Sequence, residues 1–149
     1  MKNSAIFAKY DPKPENMIAI LHDIQDSNPR QFLSSEDLKE TAEFLNTTLA
    51  HVYGVAGYYS MFAMRPRGKK LVRVCVSPVC SSLGSAGILE AFREKLSLIP
   101  GQATPGGEIS LETCQCLGRC GKAPSMMVNK TIYTNVDGDK LQQILDTTV

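Results

Sequence analysis

Two tight cysteine pairs, Cys75-x4-Cys80 and Cys116-x3-Cys120, constrain this chain more than any other feature. Each pair can aim two thiolates at one point from a single loop. A fold that brings two such loops together builds a four-thiolate socket suited to zinc or an iron–sulfur cluster. At 149 residues the chain is long enough for one ordinary domain, or a small domain with a helical extension.

Charge and hydropathy narrow the setting. Lys and Arg number 16 against 15 Asp and Glu, a net charge of +1, so there is no electrostatic footprint for nucleic acid. No run approaches the roughly 18 apolar residues of a membrane-spanning helix. The apolar part of the N-terminus is too short for a secretory signal. The expected setting is therefore the cytosol, where clustered cysteines bind metal more often than they form disulfides.

The first 60 residues read as helices. Met17, Ile18, Ile20, Leu21 and Ile24 form one apolar stripe ending near Asn28-Pro29. Ser34-Ser35-Glu36-Asp37 offers hydroxyl caps and early carboxylates to a second helix lined by Leu38, Ala42 and Leu45. Thr47 or Thr48 caps a third, carrying Leu49, Val52, Tyr53 and Ala56. Tyr58, Tyr59 and Phe62 are expected to pack a core, and His22 and His51 to be surface or packing residues.

The polar stretch from Arg65 to Lys70 is expected to be a solvated linker. It divides a helical bundle over 1–64 from a second domain over 65–149. Beyond it the pattern becomes β-α-β-β-β-α: a strand over 71–76, a helix over 85–98, a half-buried strand over 108–113, a hairpin turning at Asn129-Lys130, and a last helix capped by Asp137. This is an α/β arrangement with cysteine loops after its first and second strands.

Spacing alone leaves structural zinc, an iron–sulfur cluster and redox disulfides open. If iron is present, four protein ligands suit one two-iron, two-sulfide cluster, whose four thiolates bring the total charge to about −2. Gly118 and Gly121 let the second loop curl tightly and turn N–H groups inward. Arg73, Arg119 and Lys122 stand where they can soften the negative field, or are simply solvated charges. Cys114 reads as a strand-end residue packing like a small hydrophobe. There is no Gly-x-Gly-x-x-Gly turn and no P-loop, so any hydride transfer takes place on another chain.

An ordered set of motifs then carries a family resemblance. Leu21-His-Asp-Ile-Gln25, Leu49-Ala-His-Val-Tyr-Gly-Val-Ala56, Tyr58-Tyr-Ser-Met-Phe62, Val74-Cys75-x4-Cys80 and Glu112-Thr-Cys-Gln-Cys116-Leu-Gly-Arg-Cys120-Gly-Lys-Ala-Pro124 follow one another in sequence. Together they resemble the small thioredoxin-like [2Fe–2S] subunit of NADH:quinone oxidoreductase and its counterparts in NAD-linked and bifurcating hydrogenases and formate dehydrogenases. The resemblance implies an N-terminal helical bundle followed by a thioredoxin-like domain. It implies one [2Fe–2S] cluster on Cys75, Cys80, Cys116 and Cys120, with Cys114 outside the ligand set.

It further implies a partner flavoprotein subunit holding FMN, the NAD(H) site and further clusters, and a further catalytic subunit. Gly57, Pro78 and Ser125 depart from the common pattern without removing a ligand. Val76-Ser-Pro-Val-Cys80 and the compact chain resemble the soluble, bifurcating-hydrogenase-type complexes more than the mitochondrial one.

Overall fold

The computed structural model describes residues 2–148, with side chains to residue 147. The chain forms two compact units, Met1–Pro66 and Arg67–Val149. Among the described residues no helix is long and apolar enough to cross a membrane.

The first unit is helical: α1 (Ser4–Phe7), a 3-10 turn (Pro14–Asn16), α2 (Met17–Ser27), α3 (Ser35–Phe44) and α4 (Leu49–Tyr58). The apolar stripes meet as their spacing requires. Ile20, Leu21 and Ile24 of α2 pack with Leu38 and Ala42 of α3, Val52 and Ala56 of α4, and Leu45, Phe7 and Phe62. The start of α3 is a capping box in which Ser34 and Asp37 satisfy each other's backbone N–H. Thr48 caps α4 through the His51 N–H. Phe62 is buried and lies 4.9 Å from the His22 ring.

The aromatic trio stacks edge to face in a chain, Tyr58 on Tyr59 at 5.1 Å and Tyr59 on Phe62 at 6.4 Å, but does not all enter the core, because Tyr58 ends α4 and is 82% exposed. Helix α1 lies outside the sequence expectation because four residues carry too little periodicity to register.

A polar clasp ties the N-terminal segment to α3. The Lys2 and Asn3 backbone N–H groups donate to Glu40 at 2.6 and 3.0 Å, and the Asn3 amide donates to Asp37 at 2.9 Å. Burial on its own would push the Asp37 carboxyl up. Hydrogen bonds from Asn3, the Ser34 hydroxyl and N–H, and the Lys2 ammonium outweigh it and hold the group below its ordinary range.

The second unit is a five-stranded sheet in the order β2-β3-β1-β4-β5, built from β1 (Lys70–Cys75), β2 (Gln102–Ala103), β3 (Ile109–Cys114), β4 (Met126–Val128) and β5 (Thr131–Tyr133). Strands β1 and β3 are parallel, joined by α5 (Pro78–Ser82) and α6 (Ser85–Leu96); the remaining pairs are antiparallel. Helix α7 (Gly138–Thr148) closes the unit, with Asp137 accepting the Lys140 N–H at 2.8 Å.

Side chains alternate across each strand. Val72, Val74, Ile109, Leu111, Met126 and Val128 pack with Ile88 and Phe92 of α6 and Leu141, Ile144 and Leu145 of α7. Arg73, Cys75, Glu112, Cys114 and Met127 occupy the intervening positions, on the opposite face. The hairpin turns where expected, with Asn129 at φ +53°. Strand β2 falls in a stretch whose sequence reads as loop; two residues between Pro100-Gly101 and Pro105 are too few to show a period.

The segment from Arg65 to Lys70 is not uniformly solvated. Arg67 is 4% exposed and grips Glu112 of β3 with two hydrogen bonds, of 2.7 and 3.1 Å. Next to it, a Cβ on Gly68 would lie 2.6 Å from the Ile109 carbonyl carbon, so only glycine admits this approach.

Two outcomes follow from these contacts. Gly68→Ala is expected to destabilise the chain by about 1–3 kcal/mol, the usual range for overfilling packed space, read as a lower urea midpoint. Asp37 has a folded pKa below its unfolded value, so its stabilisation is complete above the ordinary carboxylate range and is lost as pH falls through the folded value. Asp37→Asn should therefore flatten the acid limb of stability against pH; an acid limb identical to wild type would exclude a contribution from this clasp.

Candidate metal centre

The five cysteines gather at one edge of the sheet because β1 and β3 run parallel and end together. Cys75 and Cys114 are register partners at the last position of each strand. The ladder continues past them: the Val76 N–H donates to the Cys114 carbonyl at 3.0 Å, and the Cys75 N–H to the Ser125 carbonyl at 3.1 Å. Both cysteine loops therefore leave from the same place. The Arg67–Glu112 pair, joined by Arg73 at 3.5 Å, fixes the two strands two residues before that edge.

The first loop is largely helix rather than coil. Ser77 precedes α5, and Pro78 takes the first helical position, where its missing N–H leaves nothing unsatisfied. Cys80 sits in that turn, 2% exposed, with its sulfur 3.6 Å from the Ser125 hydroxyl. Cys75 is fully buried. Burial raises its pKa; hydrogen bonds from the Ser77 N–H, Cys80, the Ser77 hydroxyl and the Leu117 N–H outweigh this and leave the thiol below its usual value. Leu117 belongs to the second loop, so the two cysteine loops touch at the Cys75 sulfur.

The second loop is exposed at both of its cysteines. The Cys116 and Cys120 sulfurs are 3.2 Å apart. The contact with Cys120 and the Gly118 N–H, which donates to Cys116 at 3.3 Å, lower the Cys116 pKa, while the contact with Cys116 and its charge raise that of Cys120. Gly118 adopts φ +72°, which turns its N–H back toward the sulfur. Gly121 has no such role: its φ is negative, it sits in a short 3-10 turn (Cys120–Lys122), and a Cβ there would meet open space.

Of the three cations singled out from sequence, Arg73 is committed to Glu112, and Arg119 and Lys122 are exposed on the second loop. Cys114 is half-buried. Burial and the neighbouring sulfurs Cys75, Cys80 and Cys116 push its thiol up to about 11, with Arg73 acting against them. The donors at Ser77, Leu117 and Ser125 are not evident from sequence. A serine just before a proline-led turn is the only local signal, and only Ser77 carries it.

The sulfurs meet as two pairs. Among the described residues no three Cys, His, Asp or Glu side chains group to hold a single ion. One tetrahedral zinc with metal–sulfur bonds of about 2.3 Å would need four sulfurs about 3.8 Å apart around one point. A two-iron centre asks for two thiolates per iron, each pair at about that separation. The division of the donors between two loops suits two thiolates per iron, and the N–H groups aimed at Cys75 and Cys116 favour the thiolate form that iron requires.

Comparison with known proteins agrees with this chemistry. The chain is 39% identical over 137 residues to an NADH-quinone oxidoreductase subunit of Aquifex aeolicus, covering 91% of this chain and 84% of the relative. It is 34% identical over 133 residues to HndA, a subunit of the NADP-reducing hydrogenase of Solidesulfovibrio fructosivorans, covering 89% and 77%. A crystal structure of an H2-reduced NAD+-reducing [NiFe]-hydrogenase shares the fold, with a TM-score of 0.78 at 17% identity over 92% of this chain; that match spans 22% of the hydrogenase chain. The model of the thioredoxin-like [2Fe–2S] ferredoxin family matches residues 3–149, and this chain belongs to that family.

Proposed function

We propose that this chain is an electron-transfer subunit of an NAD(P)H-linked oxidoreductase complex, holding one [2Fe–2S] cluster on Cys75, Cys80, Cys116 and Cys120. The observation that carries the ligand assignment is the pairing of these four sulfurs at one sheet edge. When bound, the cluster supplies one-electron transfer. The chain's own part is to hold and tune it. Burial of Cys75 and Cys80 keeps water from one thiolate pair. The N–H groups of Ser77, Leu117 and Gly118 and the Ser125 hydroxyl lie against the sulfurs, where they favour added negative charge.

In this reading FMN and NAD(H) lie on a partner flavoprotein subunit, since this chain has neither a Gly-x-Gly-x-x-Gly turn nor a P-loop for a nucleotide. A hydrogenase-type complex with a further catalytic subunit is the reading taken from the first cysteine loop. The 34% identity to HndA supports it. The equivalent subunit of NADH:quinone oxidoreductase is the second reading, favoured by the 39% identity to the Aquifex aeolicus relative.

Metal analysis tests the core of the proposal. The chain purified anaerobically should carry iron and acid-labile sulfide in equal amounts, two of each, and take up one electron. Zinc without sulfide would refute it in favour of a zinc-stapled interaction module. Cys80→Ala, Cys116→Ala and Cys120→Ala should each lower iron content at least fivefold, and full retention by any of them would remove that residue from the ligand set. In the iron-free chain, alkylation should modify the exposed Cys116 and Cys120 well before Cys75 and Cys80. The chains that co-purify, and whether the complex oxidises hydrogen or reduces quinone, decide between the two complex types.

A further inference from the structure

We propose that Cys114 is a reserve cluster ligand able to take the coordination position of Cys75, because the two cysteines occupy the same register position on neighbouring parallel strands and face the same side of the sheet. The inference rests on the ligand reading above and adds a fifth cysteine to it.

Register partners on adjacent strands are separated by about 4.8 Å. That lies within the range of about 4.4–6.8 Å over which two cysteines can bring their sulfurs into bonding contact. Pleating sends their side chains to one face, the face opposite Val72, Val74, Ile109 and Leu111. The hydrogen bond from the Val76 N–H to the Cys114 carbonyl, 3.0 Å, holds this alignment up to the point where the loops diverge.

Cys114 also precedes Cys116 by two residues and is not among the side chains of the hydrophobic core, so its surroundings are those of the cysteine loops. It is half-buried and absent from that core, so a change of rotamer or a small movement of the strand end does not open a cavity among packed apolar side chains.

The exchange is a ligand substitution without redox change. The iron bond to the Cys75 sulfur breaks as the Cys114 sulfur bonds iron. The proton that the Cys114 thiol gives up to water is balanced by one that the released Cys75 sulfur takes from it; in Cys75→Ser only the Cys114 proton is lost. Cys80, Cys116 and Cys120 keep theirs. The remaining thiolate count is four in either arrangement, so the total charge of the site is the same.

The test compares Cys75→Ser, Cys114→Ala and the double variant in the full chain, reconstituted anaerobically with ferrous iron and sulfide, with folding followed by far-ultraviolet circular dichroism. Serine is nearly isosteric with cysteine, so Cys75→Ser keeps the packing at the strand end. Cys114→Ala should match wild type in iron and sulfide content.

Cys75→Ser should retain more than half the wild-type content, with the charge-transfer absorption and resonance Raman bands of four sulfur ligands, and the double variant should fall below a tenth. Three results would overturn the inference: a Cys75→Ser chain as empty as the double variant, a spectrum in which the serine oxygen holds iron, or a double variant that still fills. Should Cys75→Ser not fold, the same comparison with Cys75→Ala decides on the same criteria. Wild type without iron or sulfide would refute the ligand reading itself, whereas a filled wild type beside an empty Cys75→Ser refutes only the role of Cys114.

Discussion

The parallel pairing of β1 with β3 is the contact on which the cysteine cluster depends. Six register pairs run from Lys70–Ile109 to Cys75–Cys114. A slip of β1 by one residue would carry its side chains to the other face, sending Cys75 toward the helices and away from Cys114, and Val74 out of the core. The hydrophobic set on one face therefore fixes the position of the sulfurs on the other. The grip of Arg67 on Glu112 and the close approach of Gly68 to the Ile109 backbone reinforce the same alignment from its opposite end.

The alignment also explains why two short motifs far apart in sequence act as one. Each pair can chelate alone, even in an unfolded chain, because its cysteines are separated by only three or four residues. Bringing the pairs together requires the crossover through α5 and α6 and the burial of Ile88 and Phe92 against the sheet. Cofactor retention and folding of the second unit are thus linked, as in other metal-dependent domains.

Most of the fold was legible. The stripes of α2 and α3, the Ser34 cap, the Asn129 turn and the Asp137 cap all rest on local patterns whose physics does not need tertiary context. The elements that escaped were short ones: α1, α5 and β2 have two to five residues, less than the windows in which periodicity can be seen. Arg67 escaped for another reason. A basic residue in a Pro/Gly/Lys-rich stretch reads as solvated, and its burial depends on a carboxylate 45 positions away. Tyr58 shows the converse, an aromatic residue left outside because its helix ends there. At the site, the cysteine types and spacings were visible, but their division into a buried and an exposed pair was not, since exposure is a property of the folded edge.

That division gives the site a direction. Cys75 and Cys80 lie out of reach of water, with fixed hydrogen-bond donors at the Cys75 sulfur, while water reaches Cys116 and Cys120. Negative charge on the sulfurs is met by water at the second loop, where the local dielectric is high, and by fixed hydrogen-bond donors at the strand end. The cluster of sulfurs thus has a wet pole and a dry pole, and the wet pole is carried by the loop with the exposed cations Arg119 and Lys122.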